Sequence, residues 1–353
     1  MSLCKLFTVL LVCGFAHIHT VKAAEPAWPC PIDDYISPCT CISDISYHVD
    51  IDCSAVTDES EIRNAFAHTF PFDDVYTFKI DNPNYKNPII NLTSGVFDDK
   101  YFYSVDITGT QLQAIEDNVF DGSHDSLTTM KLSGNELKSF PFQVLTEYKK
   151  IRSLNLQNNK LIELPKVNSP SLLTLMMNGN TNLNLTFGDQ TFVGAPNLRT
   201  LYLANTGQTY LVPDMFSTLQ NIAEIYISEN SIKELDTRTF FTPQHTITKL
   251  YLANNGINDV HLGAISGMAP DGTIDLSYND ITVLDETIWQ PIFEQIVNGG
   301  SLILGNNPLQ CGCDFKWIVN NDNYLSLISP ESSCHAGVLV SEISKDFINN
   351  NCD

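Results

Sequence analysis

The chain has 353 residues, of which 43% are hydrophobic, and it carries a formal net charge of −22 at neutral pH. An acidic surface of this kind repels phosphate backbones and anionic lipid headgroups. The composition therefore disfavours nucleic acid and membrane surfaces as partners.

Residues 1–24 predict a cleaved signal peptide. Lys5 precedes an apolar run from Leu6 to Phe15, and the small residues Ala23 and Ala24 follow. An N-terminal anchor is the alternative, but the run is shorter than the roughly 20 apolar residues of a membrane span. No later stretch approaches that length, so we expect a secreted, extracellular protein without a membrane span.

Eight cysteines remain after the leader, in two groups of four. One group precedes the middle of the chain and the other follows it: Cys30, Cys39, Cys41 and Cys53, then Cys311, Cys313, Cys334 and Cys352. Even numbers in an oxidising compartment indicate disulfides. Zinc is the weaker alternative, because each group has one Cys-x-Cys and no Cys-x-x-Cys. Sequence alone permits three connectivities within each group.

Between the cysteine groups, an apolar pattern recurs about ten times at intervals of 21 to 28 residues. Leu127, Met130 and Leu132, followed by Asn135 and Leu137, form one copy. The copies begin near Val75, Phe102, Leu127, Ile151, Leu172, Leu198, Ile222, Ile247, Asp271 and Gly299. Such a period predicts a solenoid of stacked units, each with a short strand whose alternate residues face the core. No unit folds alone, so both ends need lids.

Each unit carries two further markers. At the turn after the strand stands an amide or hydroxyl side chain, which we expect to hydrogen-bond main-chain groups from unit to unit. These residues are Asn135, Asn159, Asn180, Asn230, Asn255, Asn279 and Asn307, with Thr110 and Thr206 at the matching position. A second apolar anchor follows, as at Phe97, Phe120, Phe192, Phe216 and Phe240.

The pattern LxxLxLxxNxL with a later phenylalanine resembles the extracellular leucine-rich repeat family, from Val75 to Leu309. An insertion at Pro83 to Pro88 and Asp271 at an apolar position depart from it. The resemblance implies an α/β solenoid, curved, with a parallel β-sheet on the concave face and capped ends. The expected organisation is a leader at 1–24, an N-terminal cap at 25–74, repeats at 75–306 and a C-terminal cap at 307–353.

Both cysteine groups also resemble the caps of that family. The N-terminal motif CPIDDYISPCTC with a later cysteine implies the pairs Cys30–Cys41 and Cys39–Cys53. The C-terminal motif NPLQCGCDFKWIV with two later cysteines implies Cys311–Cys334 and Cys313–Cys352.

Two sequons, Asn91-Leu92-Thr93 and Asn184-Leu185-Thr186, predict N-linked glycans at Asn91 and Asn184. Both follow the strand of their unit, so the glycans are expected on the loop side.

One exposed position per unit, between the two buried residues of the strand, defines a column across the concave sheet. We expect a binding face there at Met176, Tyr202, Tyr226 and Tyr251, with Arg152 and Arg199 beside it, since tyrosine and arginine are common at binding hot spots. The column reads Lys79, Asp106, Lys131, Asn155, Met176, Tyr202, Tyr226, Tyr251, Asp275 and Ile303. Stacking of aromatic residues along a sheet, without any partner, is the equally weighted alternative.

No catalytic motif is present, and the histidines lie in separate units, so we expect no enzyme activity, no cofactor and no metal site. Residues 37–62 and the phrase SFPF at Ser139–Phe142 resemble a group of secreted arthropod leucine-rich repeat chains that includes a non-catalytic subunit of a luciferin monooxygenase. That resemblance implies an accessory chain that binds or stabilises a partner protein, such as a small secreted catalytic subunit. The alternative is a soluble innate-immune recognition or extracellular-matrix protein.

Overall fold

The computed structural model describes residues 28–81, 86–185 and 188–352. The predicted leader and part of the insertion at 83–88 lie outside the described residues. The strands, in chain order, are β1 (Thr40–Ser43), β2 (Val49–Asp52), β3 (Asp74–Asp81), β4 (Asn91–Leu92), β5 (Tyr101–Thr108), β6 (Ala114–Ile115), β7 (Thr129–Lys131), β8 (Ser153–Asn155), β9 (Glu163–Leu164), β10 (Thr174–Met176), β11 (Asn184–Leu185), β12 (Thr200–Tyr202), β13 (Glu224–Tyr226), β14 (Glu234–Leu235), β15 (Ile247–Tyr251), β16 (Asp259–Val260), β17 (Met268–Asp275) and β18 (Ser301–Ile303).

Twelve of these strands form one sheet, which we call the main sheet. Its order is β1-β2-β3-β5-β7-β8-β10-β12-β13-β15-β17-β18. The hairpin of β1 and β2 is antiparallel, and all later neighbours pair in parallel. Three two-stranded sheets, β4-β6, β9-β11 and β14-β16, lie apart from it. The predicted α/β solenoid is confirmed, because each of the ten repeats supplies one strand of the main sheet.

Helices occur at the two ends and in the ninth repeat, and short 3-10 turns connect several strands. The helices are α1 (Asp33–Ile36), α2 (Glu59–Phe66), α3 (Glu286–Gln295), α4 (Lys316–Val319), α5 (Asp322–Leu327) and α6 (Lys345–Asn351). Asp58 begins α2 by accepting hydrogen bonds from the backbone amides of Ser60 and Glu61, as helix N-caps commonly do. No helix among the described residues is both long and apolar enough to cross a bilayer.

Alternation along each strand buries the residues that the repeat pattern places inside. Leu154 and Leu156, on either side of Asn155, have no exposed surface. Three of the second anchors form a row, since the rings of Phe192, Phe216 and Phe240 lie 6.2 and 5.6 Å apart in nearly parallel planes. Strand and return therefore enclose one apolar layer per repeat.

An asparagine ladder joins successive repeats at the turn. Each of the seven predicted asparagines donates its side-chain amide to a carbonyl of its own repeat and to one of the preceding repeat; for Asn230 the acceptors are Ile227 and Leu203, each at 2.9 Å. Its carbonyl oxygen accepts from the Thr206 amide at 3.0 Å. The same arrangement recurs at Asn135, Asn159, Asn180, Asn255, Asn279 and Asn307. The hydroxyls of Thr110 and Thr206 donate instead to the side-chain oxygens of Asn135 and Asn230. The ladder thus satisfies backbone groups that leave the sheet.

The structure of the ninth repeat shows why its sequence departs from the repeat pattern. Asp271 stands at the position expected to be apolar, but in the structure Met268 pairs with Ile247 and is 1% exposed. The register then shifts before Lys249 pairs with Thr273. Met268 therefore supplies the missing core residue, and the extra residues are absorbed as an irregularity of β17.

Disulfides hold a lid at each end. They join Cys30 to Cys41, Cys39 to Cys53, Cys311 to Cys334 and Cys313 to Cys352, which are the pairs that the cap resemblance implies. At the N-terminal end Phe66 of α2 packs its ring 5.1 Å from Phe97. At the other end the Trp317 indole donates to the Leu284 carbonyl at 3.0 Å. Both lids cover apolar layers that would otherwise face water.

Candidate functional site

The predicted column lies in register across the main sheet. Met176 pairs with Tyr202, Tyr202 with Tyr226, and Tyr226 with Tyr251. All four side chains are half-buried. The register follows from the repeat, because side chains at one repeat position fall on the same face of neighbouring parallel strands.

Tyr202, Tyr226 and Tyr251 form a continuous ring column, which we call the tyrosine stack. The ring centroids of Tyr202 and Tyr226 are 4.4 Å apart and those of Tyr226 and Tyr251 are 5.0 Å apart, with an angle of 7° between planes in both pairs. The geometry corresponds to the stacking alternative, and it leaves the outer part of each ring open to a partner.

A charged network fixes the middle of the stack. The Tyr226 hydroxyl donates to Glu224 Oε2 at 2.9 Å, and Lys249 Nζ lies 2.9 Å from Glu224 Oε1. Burial and the hydrogen bond to Glu224 raise the pKa of Tyr226 well above its usual value. Burial alone would raise the pKa of Glu224, but the hydrogen bonds from Lys249 and Tyr226 outweigh it and lower that pKa. The phenol is therefore held neutral and the carboxylate charged.

The two predicted arginines lie at the edge of the sheet, one residue before β8 and β12. Arg152 and Arg199 line a groove of about 390 Å³ together with Lys149 and Lys150. We call these four residues the basic cleft. Lys149 contacts Asp125 at 2.8 Å, whereas the other three form no ion pair within the described part of the chain. The two arginines thus lie in one groove with two lysines. Among the described contacts, neither arginine forms a hydrogen bond with a tyrosine of the stack.

The N-terminal part of the same column is ionic. Lys131 Nζ lies 3.1 Å from Asp106, and Lys79 Nζ lies 4.0 Å from Asp52 and 3.8 Å from Asp81. These ion pairs partly neutralise the charges of the column at the surface.

The structure also forms a pocket that the sequence analysis did not predict. It lies where the β1–β2 hairpin meets β3 and β5, and its volume is about 390 Å³. We call it the cap pocket, and its main lining residues are Tyr47, His48, Phe72, Asp74, Tyr76 and Tyr103. Tyr76 and Tyr103 each follow the first apolar residue of a repeat, Val75 and Phe102. That shared repeat position is the signal that would have indicated them.

Both sequon asparagines are exposed and lie outside the main sheet. Asn91 belongs to β4 and Asn184 to β11, in two of the small sheets. Thr186 of the second sequon lies outside the described residues. Glycans attached at these positions would leave the main sheet open.

One histidine of the described chain sits in a possible ligand group. His261 contacts Glu234 at 3.1 Å, Asp236 at 3.3 Å and Asp259 at 3.4 Å on the exposed face of the β14-β16 sheet. Of these, Glu234, Asp259 and His261 hold donor atoms within 4.8 Å of one another. Three donors on an open surface do not complete a tetrahedral site, and we assign no metal to this cluster.

Comparison with known proteins agrees with the repeat fold. The leucine-rich repeat family model matches residues 101–161. The Oplophorus-luciferin 2-monooxygenase non-catalytic subunit of Oplophorus gracilirostris is 29% identical over 319 residues, which cover 90% of this chain and 86% of that protein. Human podocan-like protein 1 is 26% identical over 51% of this chain and 38% of its own length.

Among solved structures, a chain of the octameric complex of Latrophilin 3, Unc5D and FLRT2 superposes with a TM-score of 0.60 at 19% identity. The match covers 84% of this chain and 88% of that one. The functional domain of InlJ from Listeria monocytogenes matches with a TM-score of 0.52 at 16% identity, over 74% and 49% of the two chains. At these identities the likeness concerns the fold.

Proposed function

Because this chain is a leucine-rich repeat protein with a disulfide-bonded lid at each end, we propose that it is a secreted, non-enzymatic protein whose main sheet binds a partner protein. The tyrosine stack is the observation on which the proposal depends most. Three half-exposed aromatic rings in register, on β12, β13 and β15, give a large, rigid contact surface on the main sheet.

The stack suits recognition because its side chains are ordered before a partner arrives. Binding normally costs about 0.5–1.5 kcal/mol for each mobile side chain that it immobilises. Tyr226 is already fixed by its two ring neighbours and by the hydrogen bond to Glu224. Aromatic residues with polar ends are enriched among residues that dominate binding energy.

The basic cleft suggests the chemistry of the partner's flanking groups. Lys150, Arg152 and Arg199 are exposed and lie in one groove on a chain whose net charge is −22. Local positive charge on an acidic protein favours a partner that presents carboxylates beside an apolar patch, since complementary charges steer association and fix register. Met176 extends the apolar part of the surface on the neighbouring strand.

An accessory role is supported by the relative named as a non-catalytic subunit, which is similar along 90% of this chain. In this role the chain contributes no chemistry and accompanies or stabilises a partner, such as a small secreted catalytic subunit. The four disulfides favour an oxidising compartment. A leader at 1–24, caps at 25–74 and 307–353, repeats at 75–306 and glycans at Asn91 and Asn184 belong to the same proposal.

Co-purification with matched variants tests the binding face. The tagged chain, the double variant Tyr202→Ala/Tyr226→Ala and the control Tyr210→Ala are each incubated with secretions of the source organism, and retained proteins are identified by mass spectrometry. Tyr210 is exposed and lies outside the main sheet. We expect one protein to be retained by the wild type and the control, and to bind the double variant at least about tenfold more weakly, which corresponds to about 1.4 kcal/mol.

Three results would contradict parts of the proposal. Equal retention by the double variant, together with a lower melting temperature, would assign the stack to stability alone. Retention of microbial or matrix glycans in place of a protein would favour the recognition or matrix alternative, to which the similarity to podocan-like protein 1 also points. Substrate turnover by the isolated chain would refute the non-enzymatic role.

A further inference from the structure

The cap pocket is an aromatic surface without an assigned role. Tyr47 is 63% exposed, Tyr76 44% and Phe72 41%. Trp28 packs beside Phe72 with its ring centroid 5.3 Å away. Soluble chains rarely leave several large aromatic side chains together at the surface unless they contact something. The proposed function does not use this pocket, which lies at the N-terminal end of the main sheet, away from β10 to β15.

Asp44 organises the hairpin that forms one wall of the pocket. Its Oδ1 accepts from the backbone amides of Ser46 at 2.8 Å and His48 at 2.9 Å, and its Oδ2 lies 2.9 Å from His48 Nδ1. The hydrogen bond between the Asp44 amide and the His48 carbonyl closes the turn at 3.2 Å. Tyr47 stands in the same turn, where its backbone amide donates to the Asp44 carbonyl at 3.1 Å.

Tyr47 and His48 therefore line the pocket from a pre-formed turn.

The strands supply the opposite wall. The His48 ring stacks on Tyr76 with centroids 4.5 Å apart and 25° between planes, and Tyr76 lies 5.7 Å from Tyr103. Tyr101 adds a further ring 6.2 Å from Tyr103. Aromatic faces carry negative quadrupole potential, so a group of rings attracts positive charge.

Asp74 is the single carboxylate among the described residues that line the pocket. Asp74 is half-buried and forms no ion pair or side-chain hydrogen bond with the described residues, whereas its neighbour Asp73 contacts Lys100 Nζ at 3.0 Å. No lysine or arginine of the described part of the chain lines the pocket. Burial is the main cause that raises the pKa of the adjacent Tyr101, and the negative charges of Asp74 and Asp73 raise it further. The site therefore combines aromatic rings with an unneutralised negative charge.

We propose that the cap pocket binds a small alkylammonium ligand, with Asp74 facing the charge and Tyr76 and Tyr103 providing cation–π contacts. Quaternary ammonium groups are recognised in this way by aromatic cages. A volume of about 390 Å³ lies within the range of small-molecule sites. The net charge of −22 adds a long-range attraction for any cation.

Choline and its neutral isostere 3,3-dimethyl-1-butanol separate charge recognition from apolar burial, because the two probes differ in one atom at the branched centre. Each is titrated into the full secreted chain at constant ionic strength and followed by ligand-observed NMR. We expect saturable choline binding, and binding of the isostere weaker by about tenfold or more.

Isosteric variants localise the site. Asp74→Asn should weaken choline binding by about tenfold, while Asp73→Asn should leave it unchanged because Asp73 lies outside the lining. Tyr76→Phe, which keeps the ring, should retain binding that Tyr76→Ala loses. Circular dichroism confirms that each variant is folded. Equal affinity for both probes, no saturable binding of choline, or wild-type affinity in folded Asp74→Asn would overturn the proposal.

Discussion

The N-terminal and C-terminal parts of the main sheet share one interior and differ in the surface that they expose. From β2 to β7 the exposed column alternates acid and base through Asp52, Lys79, Asp106 and Lys131. From β10 to β15 it carries Met176 and the tyrosine stack. Burial requires an apolar residue at the inward positions of every repeat. The outward position is free of that requirement, so its side chain can differ from one repeat to the next and serve a different function.

The two surfaces also differ in the interactions that stabilise them. Exposed ion pairs such as Lys131–Asp106 contribute about 0–1 kcal/mol each and weaken in salt. Aromatic pairs contribute about 0.5–1.5 kcal/mol beyond the area they bury, and salt affects them little. The aromatic part is therefore the more rigid surface, while the ionic part can exchange its contacts at low cost.

The largest effect should come from the shared interior. Asn135→Ala and Asn230→Ala, one under each surface, each leave several buried backbone groups unpaired, at about 1–3 kcal/mol per group. Urea unfolding followed by circular dichroism should show similar losses in both variants. Asn221→Ala is the control, because Asn221 is an exposed asparagine. A large loss at one position and none at the other would show that the interiors differ.

Removing the central ring of the stack should have the next largest effect. Tyr226→Leu keeps an apolar side chain on the strand but loses two ring pairs, so the free energy of unfolding should fall by about 1–3 kcal/mol. A double-mutant cycle with Tyr251→Leu measures the coupling of one pair. Additive losses, without coupling, would mean that the rings lie side by side but do not stabilise each other.

Alkaline pH should weaken the aromatic surface through Tyr226. Its pKa is raised in the folded chain, so above pH of about 10 the unfolded chain releases this proton while the folded chain keeps it. The unfolded state then binds fewer protons, and the free energy of unfolding falls as pH rises. In Tyr226→Phe, urea unfolding at several pH values should show a shallower fall. An identical slope in both chains would contradict this assignment.

The smallest effect is expected on the ionic surface. Lys131→Met removes the exposed contact with Asp106 and should change the free energy of unfolding by less than about 1 kcal/mol. The difference from the wild type should shrink further at about 1 M salt, where charges are screened within roughly 3 Å. A loss as large as that of Tyr226→Leu would remove the contrast between the two surfaces.

Much of this architecture could be predicted because the same sequence pattern recurs in successive repeats. The positions of Leu154 and Leu156, the asparagine turn and the column through Tyr226 follow from a period in the sequence and the alternation of a strand. The ladder begins one repeat earlier than the sequence analysis placed it, since Asn87 donates to the carbonyls of Ser54 and Val56. Asn87 lies within the insertion at Pro83 to Pro88, which obscures its place in the pattern.

The features that escaped prediction combine residues from outside the period. The cap pocket joins a hairpin turn at Tyr47 and His48 to strand residues Tyr76 and Tyr103, and no repeat relates the turn to the strands. The basic cleft likewise depends on Lys149 and Lys150, which precede the fourth repeat. Whether Tyr202 and Tyr226 stack or splay apart depends on the rotamers of the two side chains, which the spacing of residues does not determine.

The irregularity in β17 has a consequence for engineering. Four residues separate Met268 from Thr273, yet Tyr251 still pairs with Asp275, and Asp275 with Ile303. The stack therefore tolerates a local lengthening of the chain without displacing the neighbouring rows. Pro270 and Asp271, the two exposed residues of this stretch, are a natural place to graft a peptide tag or a loop, and such an insertion should leave the outward rows of the flanking repeats in place.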